Sequence, residues 1–81
     1  MDRTLEQRLS RVALYSFDGK KYLTGTSLSY LLGISNKLLY THMRRKERKT
    51  LLRPELKFGR TNYYSKEQAV SIYKTYRKLY L

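Results

Sequence analysis

"LSYLLGISNKLLYTHMRR", residues 28–45, decides how this 81-residue chain is read. It is one helix running through a glycine, or two helices meeting at Gly33. The spacing predicts two. Helices crossing at about 90 to 120° need particular side-chain sizes at particular offsets from their turn. The turn needs a residue tolerant of positive φ, which Gly33 supplies. Four residues earlier, where the axes approach, a small side chain is wanted, and Ser29 stands there. Leu28, Leu32, Ile34 and Leu39 occupy the offsets that should be apolar; His42, nine residues past the glycine, is the one imperfect match. Thr26 is placed to cap the first helix and Ser35 the second. The first turns Leu28, Leu31 and Leu32 inward, and the second Leu38, Leu39 and either His42 or Met43. That leaves Asn36, Lys37, Tyr40, Thr41 and Arg44 as the outward stripe.

Charge gathers on the same part of the chain. Eighteen Lys and Arg against six Asp and Glu give a formal charge of +12. Between Asn36 and Arg60 stand Lys37, Arg44, Arg45, Lys46, Arg48, Lys49, Arg53, Lys57 and Arg60, opposed by Glu47 and Glu55 alone. So focused a charge favours a polyanionic partner. A solvated cationic surface with no nucleic-acid role is the plainer reading of the same residues.

Upstream, "TLEQRLSRVAL" puts Leu5, Leu9 and Val12 at helical spacing behind Thr4, and "VALYSFDGKKYL" sets Asp18-Gly19 between two aromatic runs, as a tight hairpin requires. Downstream, Pro54 stops any helix from continuing, and Phe58-Gly59-Arg60 reads as the tip of a second hairpin. Tyr63 and Tyr64 alternate on its return strand, so one should be buried and the other exposed. Ser65 with Gln68 forms a capping box for a last helix, whose Ala69, Ile72, Tyr73, Tyr76, Leu79 and Tyr80 share one face. The other face carries Lys66, Lys74, Arg77 and Lys78. Tyr73, Tyr76 and Tyr80 read as core filling rather than as a stacking surface.

Residues 1–81 thus read as a single domain: an N-terminal extension over 1–22, a helix-turn-helix over 24–48, a β-wing over 51–64 and a C-terminal helix over 65–81. The expected fold is mainly α with a small β-wing, a winged helix-turn-helix carrying an extra N-terminal helix and short hairpin. The absence of cysteine leaves a small apolar core to hold it. Neither a secretory leader nor a run of eighteen apolar residues is present, so a cytoplasmic protein associated with the nucleoid is expected, with no membrane partner. The scattered acids, the single His42 and the lack of a phosphate-cradling glycine loop argue against catalysis, metal binding or a cofactor.

"LTGTSLSYLLGIS" with "LLY", then "LLRP", then "GRTNYYSKEQAVSIYK" resembles the winged helix-turn-helix of the MerR and excisionase group over about residues 22–76. In that group a Gly-Ile/Val-Ser turn leads into the recognition helix, Leu-Leu-x-Pro opens the wing and Tyr-Tyr-Ser begins the next helix. The resemblance implies double-stranded DNA as partner, the recognition helix in the major groove and the wing on the backbone. The group's regulators continue into a long dimerisation helix and an effector domain that this sequence lacks after Leu81. A small phage or mobile-element protein with an accessory or transcriptional role is therefore expected, with another DNA-bound protein as a further partner.

On that reading Asn36, Lys37, Tyr40, Thr41 and Arg44 contact bases, Asn pairing with adenine and Arg or Lys with guanine. Ser35, Arg45, Lys46, Arg48, Lys49, Lys57 and Arg60 contact the phosphate backbone, which positions the protein without reading sequence. Two other readings remain open. The basic fold could grip an acidic surface of a host or partner protein, or the basic and aromatic groups could bind single strands or RNA. No heptad run is long enough to give an oligomeric state.

Overall fold

The computed structural model describes residues 3–45 and 51–80, the last two by backbone alone. Among these residues lie helices α1 (Arg3–Leu9), α2 (Gly25–Leu32), α3 (Asn36–Arg44) and α4 (Lys66–Tyr80). The strands are β1 (Tyr15–Phe17), β2 (Lys20–Thr24), β3 (Leu56–Phe58) and β4 (Thr61–Ser65). β1 and β2 turn at Asp18-Gly19, both with positive φ, the geometry whose twist suits a two-residue hairpin. β3 and β4 turn at Gly59-Arg60.

The two hairpins do not stand apart. β2 pairs antiparallel with β4, setting Tyr22 opposite Ser65, Leu23 opposite Tyr64 and Thr24 opposite Tyr63. One four-stranded sheet results, in the order β1-β2-β4-β3. This corrects the expectation of a mainly α fold with a small wing: the chain is α+β, the described residues forming four helices and a curled antiparallel sheet. The reason lies in the backbone. An isolated two-stranded ribbon leaves a row of unpaired N–H and C=O groups and is marginal in water. Joining the longer strands β2 and β4 satisfies those groups and leaves the three-residue strands β1 and β3 at the edges.

Leu23 and Tyr64 are cross-strand partners on one face of the sheet, and both are fully buried. α2 and α4 each pack against β2 and β4, and α1 packs on α2. The core formed there joins Leu5 to Leu28, Leu31 and Leu32 of α2, Leu39 of α3, Leu52, and Ala69, Ile72, Tyr73 and Tyr76 of α4. Burying each such leucine contributes about 1.5–3 kcal/mol. The Tyr64 hydroxyl donates to the Leu52 carbonyl at 2.7 Å, tying β4 to the segment before β3. Burial, and secondarily the neighbouring Tyr40 phenol, push Tyr64 up to about 12 from its ordinary value.

α2 starts two residues earlier than the sequence suggested. Thr24, not Thr26, is its cap: the Thr24 hydroxyl accepts from the Ser27 N–H at 3.2 Å. β2 therefore passes into α2 without a loop. At the other end Gly33 has φ +73°, and the Ile34 and Gly33 N–H groups donate to the Ser29 and Tyr30 carbonyls, closing the helix in a Schellman arrangement. Ser29 is buried and directs its hydroxyl to the Thr26 carbonyl at 2.7 Å. The Arg8 guanidinium donates to the Leu31 carbonyl at 3.1 Å and covers the glycine.

Candidate nucleic-acid interface

α3 begins at Ser35, whose hydroxyl accepts from the Leu38 N–H at 3.0 Å, so its oxygen is engaged in capping. Asn36, Lys37, Tyr40, Thr41 and Arg44 all lie on the exposed side of the helix. The inward stripe is Leu39, His42 and Met43. Leu38, expected inside, is 40% exposed and joins the outward residues. Helical geometry explains the difference, because successive residues are rotated by about 100° and Leu39 already occupies the centre of the inward stripe. His42 is packed rather than presented, with Nδ1 3.0 Å from the Tyr76 hydroxyl.

Two outward side chains are held by local hydrogen bonds. Asn36 Nδ2 donates to Thr26 Oγ1 at 3.3 Å, which leaves its carbonyl oxygen and a second amide proton for another partner. Thr41 Oγ1 donates back to the Lys37 carbonyl at 3.0 Å, so its hydroxyl is satisfied within the helix. Neither α2 nor α3 contains a carboxylate.

The sheet brings the second hairpin beside this helix. Asn36, Tyr40 and Met43 of α3 line a cleft of about 90 Å³ together with Arg60, Thr61 and Asn62. Lys57 is the cross-strand partner of Asn62 and so shares the cleft-side face of the sheet. Arg44 and Arg45 are exposed at the end of α3. Of the expected phosphate contacts, Lys46, Arg48 and Lys49 fall outside the described residues.

The opposite face of the sheet holds a group of side chains that reading along the chain did not assemble. Strand alternation sets Tyr15 and Phe17 of β1, Tyr22 of β2, Tyr63 of β4 and Phe58 of β3 together, away from Leu23 and Tyr64. Phe17 lies at the centre, its ring centroid 5.6 Å from Tyr22, 5.3 Å from Tyr63 and 5.4 Å from Phe58. β1 and β3 are opposite edges, so contact between Phe17 and Phe58 requires the sheet to curl toward this face. Tyr63 is half-buried rather than exposed, because Tyr15, Phe17 and Phe58 pack against it. At the rim, Tyr15 remains 44% and Phe58 55% exposed. The available signal was the alternation in "YSF" and "LKF", each short run ending in Phe before its turn.

Among the described residues no cluster of His, Cys, Asp and Glu could hold a metal ion, and no helix is long and apolar enough to cross a membrane. Comparison with family models, characterised proteins and solved structures returns no match. Likeness to the MerR and excisionase group therefore rests on the motif residues alone.

Proposed function

We propose that the protein binds double-stranded DNA through the exposed side of α3, as an accessory or transcriptional regulatory factor of the MerR and excisionase kind. The observation that carries this reading is the outward stripe Asn36, Lys37, Tyr40 and Arg44 on a carboxylate-free helix, with Arg60 sharing a cleft with Asn36 and Tyr40. An α-helix about 10–12 Å across matches a major groove about 12 Å wide. Asn36 keeps the amide proton and carbonyl oxygen that a bidentate adenine contact uses, and Arg44 offers guanine its forked donors. Leu38 adds an apolar contact for a thymine methyl.

Arg45, Lys57 and Arg60 contact phosphates, joined by Lys46, Arg48 and Lys49. Neutralising around six phosphates gives log affinity a slope near −5 against log salt, at about −0.9 per contact. Such a factor works in the cytoplasm on the nucleoid, beside another DNA-bound protein.

Selection of a preferred site from random duplexes, followed by titration with Asn36→Ala and Arg44→Ala, tests the proposal. Each variant weakens the selected duplex by about 1–3 kcal/mol and relaxes preference at one base position. Equal binding of every duplex by wild type and variants alike overturns it.

A further inference from the structure

The five-ring face of the sheet is not needed by α3 and lies on the other side of the strands from Leu23 and Tyr64. We infer that this concave aromatic face takes unpaired bases of single-stranded DNA. Phe58 and Tyr15 present the exposed rings on which bases stack, with Phe17 and Tyr63 packed behind them.

Three observations carry the inference. The face is aromatic, Leu56 being the one aliphatic side chain among the strand residues on that side. Every base offers a π-face, so rings on a sheet suit stacking without sequence preference. A cation stands where a sugar–phosphate backbone would run: Lys20 is the cross-strand partner of Phe17. The face's own acid, Glu55, lies 3.7 Å from Lys20 and accepts a hydrogen bond from Ser65, so it does not stand as a free negative charge. A second copy of the chain fits poorly, since it brings the same +12 and only three-residue edge strands.

The choice of DNA over RNA rests on the reading of α3 above; the stacking does not. In a partly opened duplex, α3 would hold the paired part and the sheet the unpaired strand.

Fluorescence anisotropy with labelled oligothymidylate of about twelve nucleotides, beside oligouridylate and a duplex, tests this. Phe58→Ala and Tyr15→Ala each weaken oligothymidylate binding by about 5- to 100-fold, and Phe58→Leu does the same although it keeps apolar volume. Duplex affinity stays within about twofold, whereas Arg44→Ala shows the reverse pattern. If Arg44→Ala spares the duplex while the ring variants still lose oligothymidylate, the α3 reading falls and this one stands. The inference is overturned if folded Phe58→Leu binds oligothymidylate as wild type does, or if oligouridylate binds more tightly. It is also overturned if sedimentation shows self-association that Phe58→Leu abolishes, which would assign the face to a second copy.

Discussion

The exposed side of α3 and the outer face of the sheet offer an anionic polymer two different chemistries. α3 presents hydrogen-bonding and charged groups on a rod, each held by one short segment of sequence. The sheet presents rings gathered from all four strands, with Phe17 of one edge touching Phe58 of the other. A helix face depends on a rotation that a single helix supplies, so one misjudged residue costs little. A sheet face depends on strand order, and no residue in it has meaning until β2 has found β4.

The rotation of α3 is open to direct attack. Leu39 is 1% exposed and Leu38 is 40% exposed, although they are neighbours. Leu39→Ala should destabilise by about 2–5 kcal/mol, the range for truncating a core leucine. Leu38→Ala should stay within about 0.5 kcal/mol. Chemical denaturation of both variants checks this, and comparable losses would mean that α3 is turned differently and that its outward stripe is misassigned.

On the inner face of the sheet, Tyr64 predicts a pH dependence. Its phenol is raised from 10.0 to about 12, by burial first and by Tyr40 second. Below pH 10 both folded and unfolded states keep the proton, so its contribution is constant and fully present. Between pH 10 and 12 the unfolded chain alone releases it, and stability falls by up to about 2–3 kcal/mol. Tyr64→Phe should remove this alkaline loss while costing about 1–3 kcal/mol at neutral pH, because the Leu52 carbonyl loses its donor. Urea melts of both proteins across that window decide it.

Gly33 links the core to the presented helix. A side chain there must adopt φ +73°, and its Cβ would come within 3.0 Å of Arg8 Nη1. Gly33→Ala should cost about 1–2 kcal/mol from backbone strain, the flexible Arg8 tail moving aside. Thermal melting should show that loss with the helical signal retained. A stabilised variant would mean that the Schellman turn is absent in solution.

What could be read along the chain follows from how local each signal is. Gly33, Ser29 and the Ser35 cap define the α2–α3 turn within about a dozen residues, and their spacing carries it. Asp18-Gly19 and Gly59 mark hairpin tips for the same reason. The pairing of Leu23 with Tyr64 joins residues far apart in sequence, and neither strand announces the other. Treating the hairpins separately made the fold seem mainly helical and hid the aromatic face. Leu38 lies outside against expectation for a smaller reason: two adjacent leucines cannot both sit at the centre of a helical stripe. Thr24 gives no sign in the sequence of being the cap, because the strand-to-helix junction leaves no loop to mark it.

Glu55 separates the two surfaces with the least disturbance to the fold. Its carboxylate meets Lys20 at 3.7 Å with both side chains well exposed, a kind of pair worth little to stability. Glu55→Gln keeps an oxygen to accept from Ser65 Oγ, so the melting temperature should barely move. Removing the negative charge frees Lys20 for a phosphate beside Phe17. If the aromatic face holds a single strand, oligothymidylate binding should tighten and its salt slope steepen by up to about 0.7, the value for one added phosphate contact on single strands. The duplex slope, set by α3 and the cleft, should stay unchanged. Steepening on the duplex alone would place the double helix against the sheet and take the aromatic face away from unpaired bases.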